Sequence, residues 1–362
     1  MKIQCDICKR QFLYPFDQNT HRHTNVELDG VPVNFWSQVE NMENFHYTKH
    51  PEEKGIFKYK DLFQTPLVKN ISLNEGNTPL VLYSKNIYLK DESKNPTGSF
   101  KDRGMPLLMN EVLYHHKNKL AIVSTGNAAI SMCRYAKKYG LKSVVFVPES
   151  LSSTKVSRLN ADEIYLSKDI IDSFEDFFKY CRTNNSVFNG FLSSNVSYLL
   201  GLETLTYEIY DKLDDVDIII LPCASGGNAV AQINAYNRLY NARLIKKIPH
   251  FIIVQIKGGD PIAEGIKKHC SEWLYIINTP TTSKTLLSED TCFNYLKLFN
   301  FAKTGYLSTI SICDDDINQF ILENGNMGYD YTSLSVFAAW KKLDLHNKKV
   351  VLIITAKGDD IT

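Results

Sequence analysis

The sequence predicts an α/β protein built on parallel and mixed sheets flanked by helices, and three observations carry that prediction. Short apolar runs of strand length, such as residues 218–221 (IIIL) and 350–354 (VVLII), recur along the chain. Segments with helical apolar spacing stand between them. Several runs also empty directly into turns rich in Gly, Ser, Thr and Asn that open the next helix. Strand, helix and strand at this spacing make βαβ units, because parallel neighbours need a crossover.

In chain order, residues 87–90 (IYLK) alternate like a strand. Helical spacing follows from Arg103 to Tyr114, with Met105, Leu108, Met109, Val112 and Leu113 on one side. Pro106 falls in its first turn, where a missing N–H is tolerated. Residues 120–123 (LAIV) read as a buried strand that runs into Ser124-Thr125-Gly126-Asn127-Ala128-Ala129 and a helix through Ala136. The next strand is 144–147 (VVFV), stopped by Pro148, and 163–166 (EIYL) with a helix around 174–180 continues the alternation. A loop at Asn184-Asn185-Ser186, a helix over 200–213 and a strand over 217–221 follow. That strand empties into Pro222-Cys223-Ala224-Ser225-Gly226-Gly227-Asn228 with a helix behind it. A strand at 251–255, a turn-rich stretch from 257 to 285, helices at 292–301 and 334–343, and a last strand at 350–354 complete the chain.

Bulk properties narrow the function classes. A chain of 362 residues is long enough for two lobes. A net charge of +1 offers no excess of cations for nucleic acid or an acidic membrane surface. No apolar run reaches membrane-spanning length, and no apolar signal core follows the N-terminal Met1-Lys2. The eight cysteines show no framework spacing apart from Cys5 and Cys8, which suits buried thiols of a reduced, cytoplasmic compartment. Before about residue 50 the chain is polar and aromatic without a long helical period. Cys5 and Cys8 form a C-x-x-C knuckle, and His21 and His23 follow at a distance a zinc site could use. The H-x-H pair is shorter than the usual histidine arm, so the competing reading is a degenerate ribbon without metal, and no metal is assigned.

Four turns carry chemistry. Asn95-Pro96-Thr97-Gly98-Ser99-Phe100-Lys101-Asp102-Arg103-Gly104 sets a lysine on a turn ahead of a helix. The positive end of the helix dipole disfavours a further positive charge there, and a lysine so tuned can form a Schiff base with a carbonyl. Taken alone, a solvated surface lysine is the competing reading. Ser225-Gly226-Gly227-Asn228, between a buried strand and a helix, presents backbone N–H groups to a phosphate. It is neither a dinucleotide fingerprint nor a P-loop, and a tight turn needs glycines anyway. Ser124-Thr125-Gly126-Asn127 can hold a carboxylate at a strand's carboxyl end, or merely cap a helix. Thr355 ends the last strand, where its hydroxyl could face a ring nitrogen or simply close a turn.

Together these are the parts that pyridoxal phosphate needs. The segments NEGNTPL (74–80), KDESKNPTGSFKDRG (90–104), STGNAA (124–129) and SGGN (225–228) resemble the fold-type II pyridoxal-phosphate enzymes, a tryptophan synthase β-like fold, and among them the threonine synthases. The resemblance runs from about Asn70 to the C-terminus and keeps the order of motifs. It implies two α/β lobes with the cofactor between them, a small amino-acid substrate and a homodimer. It implies a degenerate zinc-ribbon-like head over 1–55, a large cofactor-binding domain over 56–104 and 196–362, and a smaller, mobile domain over 105–195. By the same resemblance Lys101 holds the cofactor and then acts as the acid–base amine. Asn127 bonds the ring hydroxyl, Ser225, Gly226, Gly227 and Asn228 cradle the phosphate, and Thr355 meets the pyridine nitrogen. Ser124, Thr125, Gly126 and Ala128 grip the substrate carboxylate.

The chain departs from the family where substrate phosphate is held. The family's N-P-[YF]-R-x-x-G reads Asn195-Val196-Ser197-Tyr198-Leu199-Leu200-Gly201 here, with Tyr198 at the arginine position. Leu192, Ala128, Ala224 and Ala356 also replace polar or glycine residues usual in the family. The resemblance implies conversion of O-phospho-L-homoserine and water to L-threonine and phosphate, by γ-elimination and β-addition. The departures keep open a β-replacement or β-elimination enzyme on serine, O-phosphoserine or threonine, of the cysteine, cysteate or diaminopropionate synthase or ammonia-lyase kind. A cofactor-binding paralogue without turnover is the third reading.

Overall fold

The computed structural model describes residues 2–5, 9–14, 27–28, 31–32, 36–39, 45–124, 126–151, 153–271, 280–283, 286–287 and 292–358. The chain opens with strands β1 (Lys2–Cys5) and β2 (Gln11–Leu13), a ladder of β3 (Glu27–Leu28) with β4 (Val31–Pro32), and β5 (Trp36–Val39). β1 is the centre of an antiparallel sheet ordered β2-β1-β5. The antiparallel strands β6 (Leu80–Ser84) and β7 (Ile87–Asp91) follow, and a 3-10 turn over Phe100–Gly104 leads straight into helix α1 (Met105–Tyr114). Next come β8 (Lys119–Val123), α2 (Asn127–Tyr139), β9 (Lys142–Pro148), α3 (Ser153–Leu159), β10 (Glu163–Ser167), α4 (Ile170–Thr183) and β11 (Val187–Asn189). The chain continues through α5 (Val196–Tyr210), β12 (Ile218–Pro222), α6 (Gly227–Asn241), β13 (His250–Ile256), α7 (Pro261–Lys267) and α8 (Cys292–Lys303). It ends with β14 (Leu307–Ile312), α9 (Asp314–Asn324), α10 (Tyr331–Lys341) and β15 (Val350–Ile354).

The chain divides into two compact units, Met1–Glu75 with Lys101–Leu202, and Gly76–Phe100 with Glu203–Thr362. The expected smaller domain, 105–195, lies within the first unit, which also takes in the stretch before Glu75. Side-chain bonds give the reason for the stretch before Glu75. The Asn110 amide clasps the backbone of Lys69, the Tyr139 hydroxyl donates to Ile71 O at 2.7 Å, and Tyr135 donates to the Glu75 carboxylate at 2.9 Å.

In the first unit, β10-β9-β8-β11 is a parallel four-stranded sheet. The chain winds from β8 to β9 to β10 and then returns to the other side of β8, so the order reverses beside β8. Open sheets of this kind bind ligands outside the carboxyl ends of strands at such a reversal. The N-terminal strands belong to this unit and are tied into it by Tyr14, 5% exposed, whose hydroxyl lies 2.8 Å from Ser197 Oγ and accepts the Ser197 N–H at 3.1 Å.

In the second unit the order is β14-β13-β12-β15-β7-β6, parallel except for β6. Its centre is made by Ile220, Val254, Leu352 and Ile354 packed with Leu334 and Phe337 of α10. Winding from β12 to β13 to β14 and then back to β15 puts the second reversal between β12 and β15. Among the described residues no helix is long and apolar enough to cross a membrane.

One close approach in the first unit sets where α5 lies. A Cβ built on Gly201 would fall 2.3 Å from Arg103 O and 2.7 Å from Gly104 Cα, and one on Gly104 would fall 2.1 Å from the Tyr198 ring. Backbone cannot give way at such distances without shifting a whole element. Gly201→Ala is therefore expected to cost about 1–3 kcal/mol of stability, the usual range for overpacking. Urea unfolding of the cofactor-free protein measures it, and an unchanged midpoint and slope contradict the packing described.

Candidate active site

In the second unit, three adjacent parallel strands, β12, β15 and β7, bring their carboxyl ends to one edge of the sheet. From β7 the chain enters the lysine turn. Asn95-Pro96-Thr97-Gly98 is a tight turn closed by Gly98 N–H to Asn95 O at 2.8 Å, with Pro second and Gly last. Gly98 has φ +86°, a conformation that L side chains rarely adopt. The turn then lies against the end of β15. Lys357 N–H donates to Gly98 O at 2.8 Å, Phe100 N–H donates to Thr355 O at 2.9 Å, and Ser99 bridges Ala356. Lys101 is the next residue, and it is partly exposed.

A buried charge network holds the start of this turn. Lys90 Nζ, fully buried, lies 2.7 Å from Glu208 Oε2 and 3.8 Å from Glu92 Oε1, and donates to Thr78 O at 2.9 Å. Glu92 accepts from Thr78 Oγ1 at 2.6 Å and from Asn95 Nδ2 at 2.8 Å, while Asn95 Oδ1 accepts the Gly76 N–H at 2.8 Å. Glu208 also receives the N–H groups of Asn77 and Thr78. Glu92 thus binds the NEGNTP turn to the lysine turn, and Glu208 ties the NEGNTP turn to Lys90. Sequence reasoning missed this set. The only local signal was three charged residues in a row, Lys90-Asp91-Glu92, where a strand should be buried.

The glycine loop follows β12. Gly226, at φ +85°, precedes α6 with no side chain capping the helix, so the first-turn N–H groups face outward. A Cβ at Gly226 would meet Leu298 Cδ1 at 2.8 Å and Asn294 Cβ at 3.0 Å, and Asn294 Nδ2 fixes the loop through Ser225 O at 2.9 Å. Asn228 is oriented from behind, because Thr206 Oγ1 donates to Gln232 Oε1 at 2.6 Å and Gln232 Nε2 donates to Asn228 Oδ1 at 2.9 Å. Asn228 Nδ2 is left buried without an acceptor among the described residues. A donor with nothing to donate to, on a helix N-terminus, fits an anion. Burial pushes the nearby Cys223 thiol up to about 12, so it is no nucleophile at neutral pH. Thr355, 6% exposed, sits at the end of β15 with its hydroxyl 3.0 Å from Ser333 Oγ.

In the first unit, Ser124 follows β8 and Asn127 opens α2. The residue at the cap position is Gly126, with no side-chain capping bond, and a Cβ there would meet nothing within 4 Å. The capping role that competed with ligand binding at Asn127 is thus not filled by it. Ala128 is buried behind the turn, and Ser124 is partly exposed. Tyr198 lies on α5 with its ring against Gly104, three residues past Lys101. It is 2% exposed, and its hydroxyl has no partner among the described residues. Burial, with the Asp102 carboxylate nearby, holds its phenol far above the ordinary value, so it is neutral. Thr125, Cys8, His21 and His23 lie outside the described residues. Cys5 is a buried thiol of β1, and among the described residues no group of three or more His, Cys, Asp or Glu could hold a metal.

Asn195 is tied to a buried carboxyl. Its Nδ2 donates to Glu111 Oε2 at 2.9 Å, while its Oδ1 accepts the Tyr198 N–H at 2.7 Å and so caps α5. Burial raises Glu111 to about 7, and the Tyr14, Asn195 and Ser197 side chains pull it only partly back. The folded protein then keeps a proton that the unfolded chain, near 4.5, has released. Stability falls as pH rises from that ordinary value through about 7 and is level above it. Glu111→Gln is expected to abolish this slope and to exceed the wild type in unfolding free energy at alkaline pH. Urea unfolding across this range checks it, and parallel pH profiles for the two proteins would refute the assignment.

With the geometry in place, comparison with known proteins identifies the family. The model of the family described as "Pyridoxal-phosphate dependent enzyme" matches residues 71–355. A threonine synthase of Methanocaldococcus jannaschii is 27% identical over 331 residues, covering 84% of this chain and 80% of the relative. A threonine synthase of Mycobacterium tuberculosis is 31% identical over 208 residues, covering 54% of this chain but only 57% of the relative. Among solved structures, a fungal L-serine ammonia-lyase from Rhizomucor miehei superposes with a TM-score of 0.65 at 17% identity, over 78% of this chain and 94% of that one. That likeness shows the fold, a fold-type II architecture as the sequence predicts. The chain belongs to the pyridoxal-phosphate-dependent enzyme family.

Proposed function

We propose that the protein is a threonine-synthase-type enzyme that turns O-phospho-L-homoserine and water into L-threonine and phosphate. The observation that carries this reading is the family match over residues 71–355, together with the threonine synthases that align with the chain. Bound pyridoxal phosphate supplies an electron sink beside the substrate's α-carbon. Lys101 would hold the cofactor, and its amine would carry protons to and from the substrate carbons. Ser225, Gly226 and Gly227 of the loop ahead of α6 and the unpartnered Asn228 Nδ2 would hold the cofactor phosphate. Asn127 would bond the ring hydroxyl, and Thr355 would meet the ring nitrogen. Ser124, Thr125, Gly126 and Ala128 would hold the substrate carboxylate, and a Cβ at Gly126 would meet nothing within 4 Å.

Tyr198 marks the site's difference from its relatives. A neutral phenol offers one donor and no charge, so a phosphate ester held there has a weaker contact than a guanidinium gives. This favours, as the second reading, elimination or replacement on serine, O-phosphoserine or threonine. The free, buried thiols Cys133, Cys181 and Cys223 support the cytoplasm as its compartment. A homodimer is carried only by the family resemblance, and light scattering tests it.

The deciding assay is phosphate release from O-phospho-L-homoserine, with O-phospho-L-serine in parallel and Lys101→Ala as the blank. Phosphate plus threonine from the first substrate is the expected result. Silence there, with turnover of O-phosphoserine, serine or threonine, overturns the first reading for the second. Tyr198→Phe separates fold from function. Losing a buried hydroxyl without a partner is expected to stabilise the cofactor-free protein slightly, while KM rises about threefold to tenfold, the worth of one neutral hydrogen bond. An unchanged KM would remove Tyr198 from the substrate site.

A further inference from the structure

The hydroxyl pair at the end of β15 has a direction. Ser333 Oγ accepts the N–H groups of both Thr355 and Ala356 at 3.0 Å. A hydroxyl oxygen has two acceptor lone pairs and one proton. With both lone pairs taken, Ser333 cannot also accept from Thr355 Oγ1, 3.0 Å away. Ser333 is therefore the donor, its proton lying toward Thr355 Oγ1, with Ala356 O farther off at 3.3 Å. That carbonyl already receives the Asp330 N–H at 3.2 Å. Ser333 is held rigidly for this task. It is fully buried on α10, and its own N–H donates to Asp330 Oδ1 at 2.7 Å.

We infer that Ser333 is a positioning residue that fixes the Thr355 hydroxyl as a hydrogen-bond donor. Thr355 accepts from Ser333 and turns its own proton away from it, and among the described residues that proton has no acceptor. A group meeting Thr355 must then accept, or leave a buried proton unpaired. The inference rests on the reading that Thr355 faces the cofactor's ring nitrogen. A ring nitrogen met by that donor would stay unprotonated, and the ring would be a weaker sink than a pyridinium. That suits elimination and replacement rather than transamination.

A double-mutant cycle on the holoenzyme tests this, using Ser333→Ala, Thr355→Val, their combination and Ser333→Thr. Two readouts are taken: the dissociation constant of pyridoxal phosphate by fluorescence titration, and the solid-state NMR shift of the ring nitrogen in 15N-labelled cofactor. Each single variant should weaken cofactor binding about fivefold to tenfold, with the double variant no weaker than Thr355→Val alone. The wild-type nitrogen should report as unprotonated and hydrogen-bonded, shift toward unbonded pyridine in Ser333→Ala, and be restored by Ser333→Thr. Additive losses with an unmoved nitrogen signal in Ser333→Ala would make Ser333 merely structural and overturn the inference. A protonated nitrogen in the wild type would overturn it too, without needing any variant to fold. Thr355→Val leaving both readouts untouched would overturn the placement of Thr355 itself, a failure distinct from that of Ser333.

Discussion

The structure depends most on the backbone pairing of residues 98–100 with 355–357. Two hydrogen bonds, Lys357 N–H to Gly98 O and Phe100 N–H to Thr355 O, join segments more than half the chain apart. They place the residue before Lys101 on the end of the last strand. Gly98 makes this possible twice over, through its φ of +86° and because a Cβ there would come within 3.3 Å of Lys357 Cβ. The lysine thus follows a turn whose shape is fixed by the chain's own hydrogen bonds. Such preorganisation suits the proposed role of Lys101, since a loose lysine would lose much of its advantage to reorientation.

Behind this pairing stands a second pattern: several polar groups of the candidate site are oriented by buried partners. Glu92 and Glu208, neutralised in part by Lys90, hold the two turns ahead of Lys101. Gln232 turns the Asn228 amide so that its donor end is left over. Ser333 does the same for a hydroxyl. In a buried setting a half-satisfied group is costly, so these residual donors are stable only if something else completes them. The same logic explains why Tyr198 stands out. Its ring lies against Gly104, just past Lys101, and its hydroxyl has no partner among the described residues.

Much of the fold was legible because buried parallel strands announce themselves. Residues 218–222 and 350–354 are unbroken apolar runs, and the turns after 123 and 222 carry the glycines that a strand-to-helix junction needs. β14 was not legible. Its sequence, LSTISI, lies at the edge of the sheet, where half-exposed Ser and Thr dilute the apolar signal. α7 was hidden in the turn-rich stretch, since Pro261 and Gly265 read as breakers although Pro opens the helix and Gly265 lets the Tyr295 ring approach. α5 begins at Val196, not at 200, because Asn195 caps it, a role obscured by reading that asparagine as part of a motif. The site divides along the same line. Lys101, Asn127, Ser225–Asn228 and Thr355 sit in compact motifs with local chemistry. Lys90–Glu208, Gln232–Thr206 and Ser333–Thr355 join residues far apart in sequence, and no local pattern encodes such a partner.

The account stands or falls on which lysine carries the cofactor. Lys90 and Lys101 lie eleven positions apart in one motif, yet the first is sealed in an ion pair and the second is partly exposed. Borohydride reduction of the protein loaded with pyridoxal phosphate, followed by peptide mass spectrometry, distinguishes them directly. The account predicts a single pyridoxyl adduct on Lys101, lost in Lys101→Ala. An adduct on Lys90 or another lysine, or none at all, would contradict it.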